Sequence, residues 1–151
     1  MKKFFILIIL LNFLTGMAFA DDLCPMPEEL KIVQPGADVP PKIANYSGIW
    51  RGKWGDAMVT QETGIAIIEI TPSNVKAIRC WGLRRGKKAG YQMEEGSIQG
   101  DTIILKGPST VLKLIPTGNP DIIYAEITAS VDLATRRTGM WTSRTDLKRV
   151  K

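Results

Sequence analysis

Three groups of residues in this chain have the types and spacing to do chemistry. The first is a pair of cysteines, Cys24 and Cys80. In an oxidising compartment an even pair reads as one disulfide, here closing a loop of about 55 residues and worth roughly 4 kcal/mol of chain entropy. Two free thiols, or a lipid on Cys24, are the rivals, and Asp21-Asp22-Leu23 does not read as a lipid-attachment site. The second group is carboxylates inside apolar or polar strands. Glu94 and Glu95 are adjacent, so on a strand they face opposite ways and cannot share a substrate. Glu69 and Glu126 lie in apolar runs, where a charge is costly unless it is paired, and each is expected to point outwards or to meet a nearby Lys or Arg. The third is basic: Arg84, Arg85, Lys87 and Lys88 crowd one loop, and Arg136 and Arg137 begin the final strand. Such a loop is either merely solvated or a docking point for an anionic envelope component or protein.

What is missing narrows the chemistry further. The chain has no histidine, which removes Ser-His-Asp and Cys-His catalysis, His-containing zinc sites and the usual general base near neutral pH. No phosphate-cradling glycine motif occurs. No catalytic residue, metal or cofactor is therefore expected, and the sequence points away from an enzyme, with a hydrolase working through carboxylates alone as the remaining enzymatic alternative.

These groups have to be positioned by something, and the chain divides accordingly. Lys2-Lys3, the apolar run Phe4–Leu14 and Ala18-Phe19-Ala20 form the basic, apolar and cleavage regions of a secretory signal peptide over 1–20. Periplasmic or extracellular export is the expectation. The apolar run is too short to span a membrane comfortably, and no later segment is longer. Of the formal charge of +5, Lys2 and Lys3 carry two, leaving +3 on the 131 residues that follow. That mild excess is far below what a nucleic-acid binder needs.

Residues 21–45 hold five of the nine prolines and read as an extended arm, with one helical turn at Glu28–Val33. From Tyr46 the period becomes two. Tyr46, Gly48, Trp50, Gly52 and Trp54 share one face of a first strand, the glycines permitting curvature. Short apolar runs follow at Ala57–Ile70, Val75–Gly82, Tyr91–Ile98, Thr102–Lys106, Thr110–Ile115, Ile122–Val131 and Arg136–Thr145, separated by turn residues such as Thr71-Pro72-Ser73-Asn74. The reading is an all-β chain, one up-and-down antiparallel barrel of about eight strands over 46–147, because a meander of that length must close or leave long edges. Residues 148–151 read as a fraying basic tail. Thr63–Ile70 and Ile122–Val131 are apolar on both faces, so an outer face there should be covered by the arm or by another subunit.

Gly48-Ile49-Trp50 resembles the G-x-W of the calycin group, the lipocalin-like and avidin-like barrels. More closely, Gly48-Ile49-Trp50-Arg51-Gly52-Lys53-Trp54, with Cys80-Trp81-Gly82 and Arg137-Thr138-Gly139-Met140-Trp141, is similar to small exported bacterial barrels, many of which have no assigned function. The resemblance implies that Trp50 packs at one end of the barrel against a basic side chain of the last strand, and Arg144 holds the matching position. It makes Gly48, Trp50, Trp54 and Arg144 structural. A non-enzymatic barrel that binds a small hydrophobic or amphipathic molecule is the first functional expectation. A module docking through Arg84, Arg85, Lys87 and Lys88, with no internal ligand, is the second.

Overall fold

The computed structural model describes residues 24–55, 60–84, 88–133 and 137–151, with the backbone alone of 131–133 and 137–139. The expected leader at 1–20, together with Arg85, Lys87 and Arg136, lies outside the described residues. After one helical turn, α1 (Pro41–Ala44), come β1 (Gly48–Gly55), β2 (Thr60–Ile70), β3 (Val75–Trp81), β4 (Gly90–Gln99), β5 (Thr102–Lys106), β6 (Thr110–Pro116), β7 (Ile122–Leu133) and β8 (Arg137–Arg149). Each strand pairs antiparallel with the next, and β1 pairs with β8, so the sheet closes into an eight-stranded up-and-down barrel, compatible with a lipocalin-like fold.

The period-two pattern explains the interior. Trp50, Ile65, Ile67, Val75, Ala77, Ile103, Leu105, Leu112, Leu114, Ala125 and Leu147 alternate with outward residues and are nearly solvent-free. They fill the half of the barrel nearest α1, called the base below. Burial of a Leu or Ile side chain contributes about 1.5–3 kcal/mol, so this packed half is the main source of stability. A bulge between Ile67 and Glu69 puts Ile70 back on the inner face.

The arm accounts for the two-sided apolarity of β2. Cys24 is disulfide-bonded to Cys80 with a Cα–Cα distance of 5.3 Å. The chain from Cys24 then lies over the outer face of β2 and β3. A Cβ built on Gly64 would come within 2.9 Å of both Cys80 Sγ and Met26 Cε, so only glycine lets the arm lie this close. The Val33 amide donates to Ile68 O at 2.8 Å, and Ala66 and Cys80 on the covered face are fully buried.

Two expectations need correction. The helical turn is at Pro41–Ala44, not Glu28–Val33. Proline at the first helical position is preset to helical φ and loses no hydrogen bond there, whereas residues 28–33 bend at Glu28-Glu29 and run on without helix to Val33, which bonds Ile68. The segment 148–151 is not a fraying tail as far as Arg149. The β7–β8 ladder begins at Ile122 with Lys148 and runs through twelve pairs, Arg149 pairs with Trp50 on β1, and the Val150 amide donates to Ile49 O at 2.8 Å.

Candidate functional site

The two ends of the barrel are built differently. At the base, Trp50 Nε1 donates to Tyr46 O at 2.8 Å, and the Arg149 guanidinium lies 4.2 Å from the Trp50 ring centroid. The cation over this tryptophan is therefore Arg149, not Arg144, because β8 continues five residues beyond Arg144 before it meets Trp50. Arg149 also donates to Ser47 O at 2.9 Å and to Asn45 O, which ties β8 to the end of α1. Gly48 makes this possible. It sits at φ +127°, and a Cβ there would stand 2.9 Å from Arg149 Nη1. Arg144 instead points outwards and donates to Glu126 at 2.8 Å, with Lys113 3.7 Å from the same carboxylate. The hydrogen bond from Arg144, with the charges of Arg144 and Lys113, lowers the Glu126 carboxyl, and the same bond to Glu126 raises Arg144.

Tyr46 completes the base. Its hydroxyl donates to Asp101 O at 2.7 Å, and burial, then the charge of Asp101, pushes its pKa above the ordinary value. A cleft of about 420 Å³ runs between α1 and the β6–β7 loop, lined by Tyr46, Trp50, Pro116, Pro120 and Ile123. The buried Tyr46 hydroxyl and Trp50 indole in this cleft both have protein partners.

The far end is where inward-facing residues turn polar. Alternation along β3 puts Val75, Ala77, Arg79 and Trp81 on the inner face, and along β4 it puts Gln92 and Glu94 there. Arg79 Nε donates to Glu94 Oε1 at 2.6 Å, and Gln92 Nε2 donates to the same oxygen at 2.7 Å. Arg79 also donates to Thr110 Oγ1 at 3.3 Å, and its guanidinium lies 5.3 Å from the Trp81 ring centroid. A Cβ at Gly107 would fall 2.9 Å from both Glu94 Oε1 and Gln92 Nε2, so the turn after β5 is packed directly onto this cluster. Among the described residues, two buried polar atoms have no partner, Glu94 Oε2 and Trp54 Nε1. Their residues are only 1% and 5% exposed.

Of the residues expected to form a site, Arg84 and Lys88 are exposed in the β3–β4 loop at this same end, and Lys88 O accepts a hydrogen bond from Trp81 Nε1 at 3.1 Å. Leu83 beside them is 71% exposed. Glu95 faces outwards and Glu69 pairs with Lys76 at 2.9 Å. Arg79, Gln92 and Glu94 as a cluster were not anticipated. Their signal lies in alternation, which places opposite charges on the inner faces of adjoining strands.

Among the described residues no helix is long and apolar enough to cross a membrane, and no three His, Cys, Asp or Glu side chains gather as a metal site would need. No protein-family model, curated protein or solved structure matches the chain.

Proposed function

We propose that this chain is an exported, non-enzymatic barrel of the lipocalin-like kind that binds one compact amphipathic molecule at the end distal to α1. The observation that carries the reading is the pair of unpartnered buried atoms, Trp54 Nε1 and Glu94 Oε2. Leaving a buried donor or acceptor unmet costs about 1–3 kcal/mol, and native interiors rarely tolerate it without a use. Beside them, the Arg79–Glu94 pair is itself an expensive element. A buried ion pair gains little over well-packed apolar residues of the same size, so packing alone gives no reason to keep it. A bound polar group that completes these hydrogen bonds would, once the side chains packed over the two atoms make way for it.

The ligand is short because the base half is filled by Leu105, Leu112, Leu114, Ile65 and Ile67, which leaves no channel for a long alkyl chain. It is amphipathic because the polar Arg79–Glu94–Gln92 cluster shares this end of the barrel with exposed Leu83 and Trp141. The absence of histidine and the disulfide-bonded state of both cysteines favour binding over turnover. The disulfide also supports export.

Nondenaturing mass spectrometry of the full chain secreted by an exporting host tests this. The expected result is a bound small-molecule mass in the wild type that is lost in Trp54→Phe. A wild-type protein that is always empty, yet is retained on an anionic surface through Arg84 and Lys88, would overturn it. That outcome favours docking through the basic loop, for which the exposure of Leu83 between Trp81 and Arg84 is the supporting observation.

A further inference from the structure

We infer that the rim distal to α1 seats this protein on an anionic lipid bilayer, with Leu83, Met140 and Trp141 entering the interface and Arg84 and Lys88 meeting the headgroups. Such docking does not rest on the proposed ligand, and the barrel can have one without the other. Of the large apolar side chains exposed among the described residues, all but Val33 and Val150 lie on the half of the barrel away from α1. Leu83 and Met140, at 71% and 81% exposed, are the extremes. Scattered singly, such side chains need no explanation, but gathered at one end beside cations they mark a contact surface. The β3–β4 connection, Gly82–Ala89, has four cations and no acid. Its exposed Arg84 and Lys88 take part in none of the ion pairs among the described residues.

Topology brings these residues to one rim. In an up-and-down barrel the β3–β4 and β7–β8 connections stand at the same end, here on opposite sides of the mouth. Leu83 lies two residues beyond Trp81, where β3 stops. Trp141 pairs with Ala129, and Ala129 with Thr110, the first residue of β6, so Trp141 is level with the rim. Met140 stands one step further out, on a ladder that continues past β6 as far as Leu133 and Arg137. The exposure of Leu83 is built into the loop stem. The Gly82 amide donates to Glu62 O at 2.8 Å, Gln61 Nε2 donates to Gly82 O at 3.1 Å, and Trp81 Nε1 donates to Lys88 O at 3.1 Å.

Apolar points on opposite sides of a mouth, with cations beside one of them, fit an extended surface that is anionic outside and apolar beneath. A bilayer supplies both. Cations are attracted to an anionic leaflet, and indole rings settle at headgroup level. A soluble polyanion would satisfy Arg84 and Lys88 but leave Leu83 and Met140 in water.

The test sediments the full chain, secreted by an exporting host, with vesicles of phosphatidylcholine alone and of phosphatidylcholine with phosphatidylglycerol. The expected result is binding to the phosphatidylglycerol vesicles only, lost at high salt, with a blue shift of tryptophan emission that is absent from Trp141→Phe. Arg84→Glu with Lys88→Glu should weaken binding by about tenfold or more, since each cation near such a leaflet contributes separately. Leu83→Ser with Met140→Ser should weaken it about tenfold through lost apolar burial. These four positions are exposed, so the unfolding midpoints should match the wild type. No vesicle binding, equal binding to both vesicles, binding without the emission shift, or binding that neither double variant weakens overturns the docking. Loss on charge reversal alone overturns it in favour of a purely electrostatic contact. Capture by dextran sulfate with no uptake by vesicles overturns it in favour of a polymer. The ligand is judged separately, by mass. An empty chain that binds these vesicles upholds the docking and not the ligand, and a loaded chain that ignores them does the reverse.

Discussion

Trp50 and Trp54 are four residues apart on one face of one strand, and they have opposite fates. Trp50 at the base has its N–H bonded to Tyr46 O and its ring capped by Arg149. Trp54 at the far end is almost as buried, but its N–H has no partner. Alternation gave both the same direction. What differs is the neighbourhood: apolar layers and main-chain acceptors at one end, the Arg79–Glu94–Gln92 cluster at the other. The base is finished by the chain itself, while the far end is left with one donor and one acceptor to spend. On the proposed reading, stability and function are separated along the barrel axis.

The sharpest way to break that comparison is to remove each indole. Trp50→Ala should destabilise the fold by about 3–5 kcal/mol, since a large buried aromatic is deleted and Arg149 loses its platform. Trp54→Phe keeps most of the apolar volume and deletes an unmet donor that costs about 1–3 kcal/mol, so the ligand-free protein should be as stable as the wild type or more so. Urea unfolding of both variants measures this. Equal losses would mean that the two ends are energetically alike.

The architecture was legible because its causes are local. Period-two runs, turn residues such as Thr71-Pro72-Ser73-Asn74 and the even cysteine pair each act within a few residues or obey simple parity. The capping cation was not legible for the opposite reason. Lys148-Arg149-Val150-Lys151 is charged enough to read as a tail, and it becomes strand as far as Arg149 because the long β7 ladder carries it on to Trp50. The Arg79–Glu94 pair lay between these cases. Parity alone places Arg79 with Val75 and Ala77, and Glu94 with Gln92, on inner faces. That the two side chains meet depends on the β3–β4 register, Ala77 with Glu94 and Arg79 with Gln92, which the eight-residue connection from Gly82 to Ala89 does not fix. The same connection holds Arg84 and Lys88, which the structure brings to the far end without bringing them onto the buried cluster.

A second contrast separates the two arginines of β8, and its effect should be intermediate. Arg149→Ala removes a cation–π contact worth about 0.5–2 kcal/mol together with the hydrogen bonds to Ser47 O and Asn45 O that fasten β8 to α1. A loss of about 2–3 kcal/mol is expected, a buried ring contact plus net hydrogen bonds of about 1 kcal/mol each. Arg144→Ala removes only an exposed pair with Glu126 and should leave the melting temperature unchanged within error. If the two variants unfold alike, or if Arg144 costs more, the assignment of the capping cation fails.

The smallest expected effect tests the base through pH. Tyr46 is buried with its hydroxyl donating to Asp101 O, and its folded pKa is raised above the unfolded value, first by burial and then by the Asp101 charge. A folded pKa above the unfolded one means that the stabilisation is fully present below the unfolded pKa, about 10 for tyrosine, and is lost as pH rises from there through the folded value. Tyr46→Phe should thus cost about 1 kcal/mol near neutrality, the net worth of the hydrogen bond. The gap between wild type and variant should narrow above about pH 10, where only the wild type must keep a phenol protonated in order to stay folded. Unfolding free energies measured from about pH 8 to pH 11 decide it. A constant gap would show that Tyr46 ionises as freely in the fold as in the unfolded chain. The base would then be wetter than its packing requires, and its contrast with the far end weaker than the two tryptophans imply.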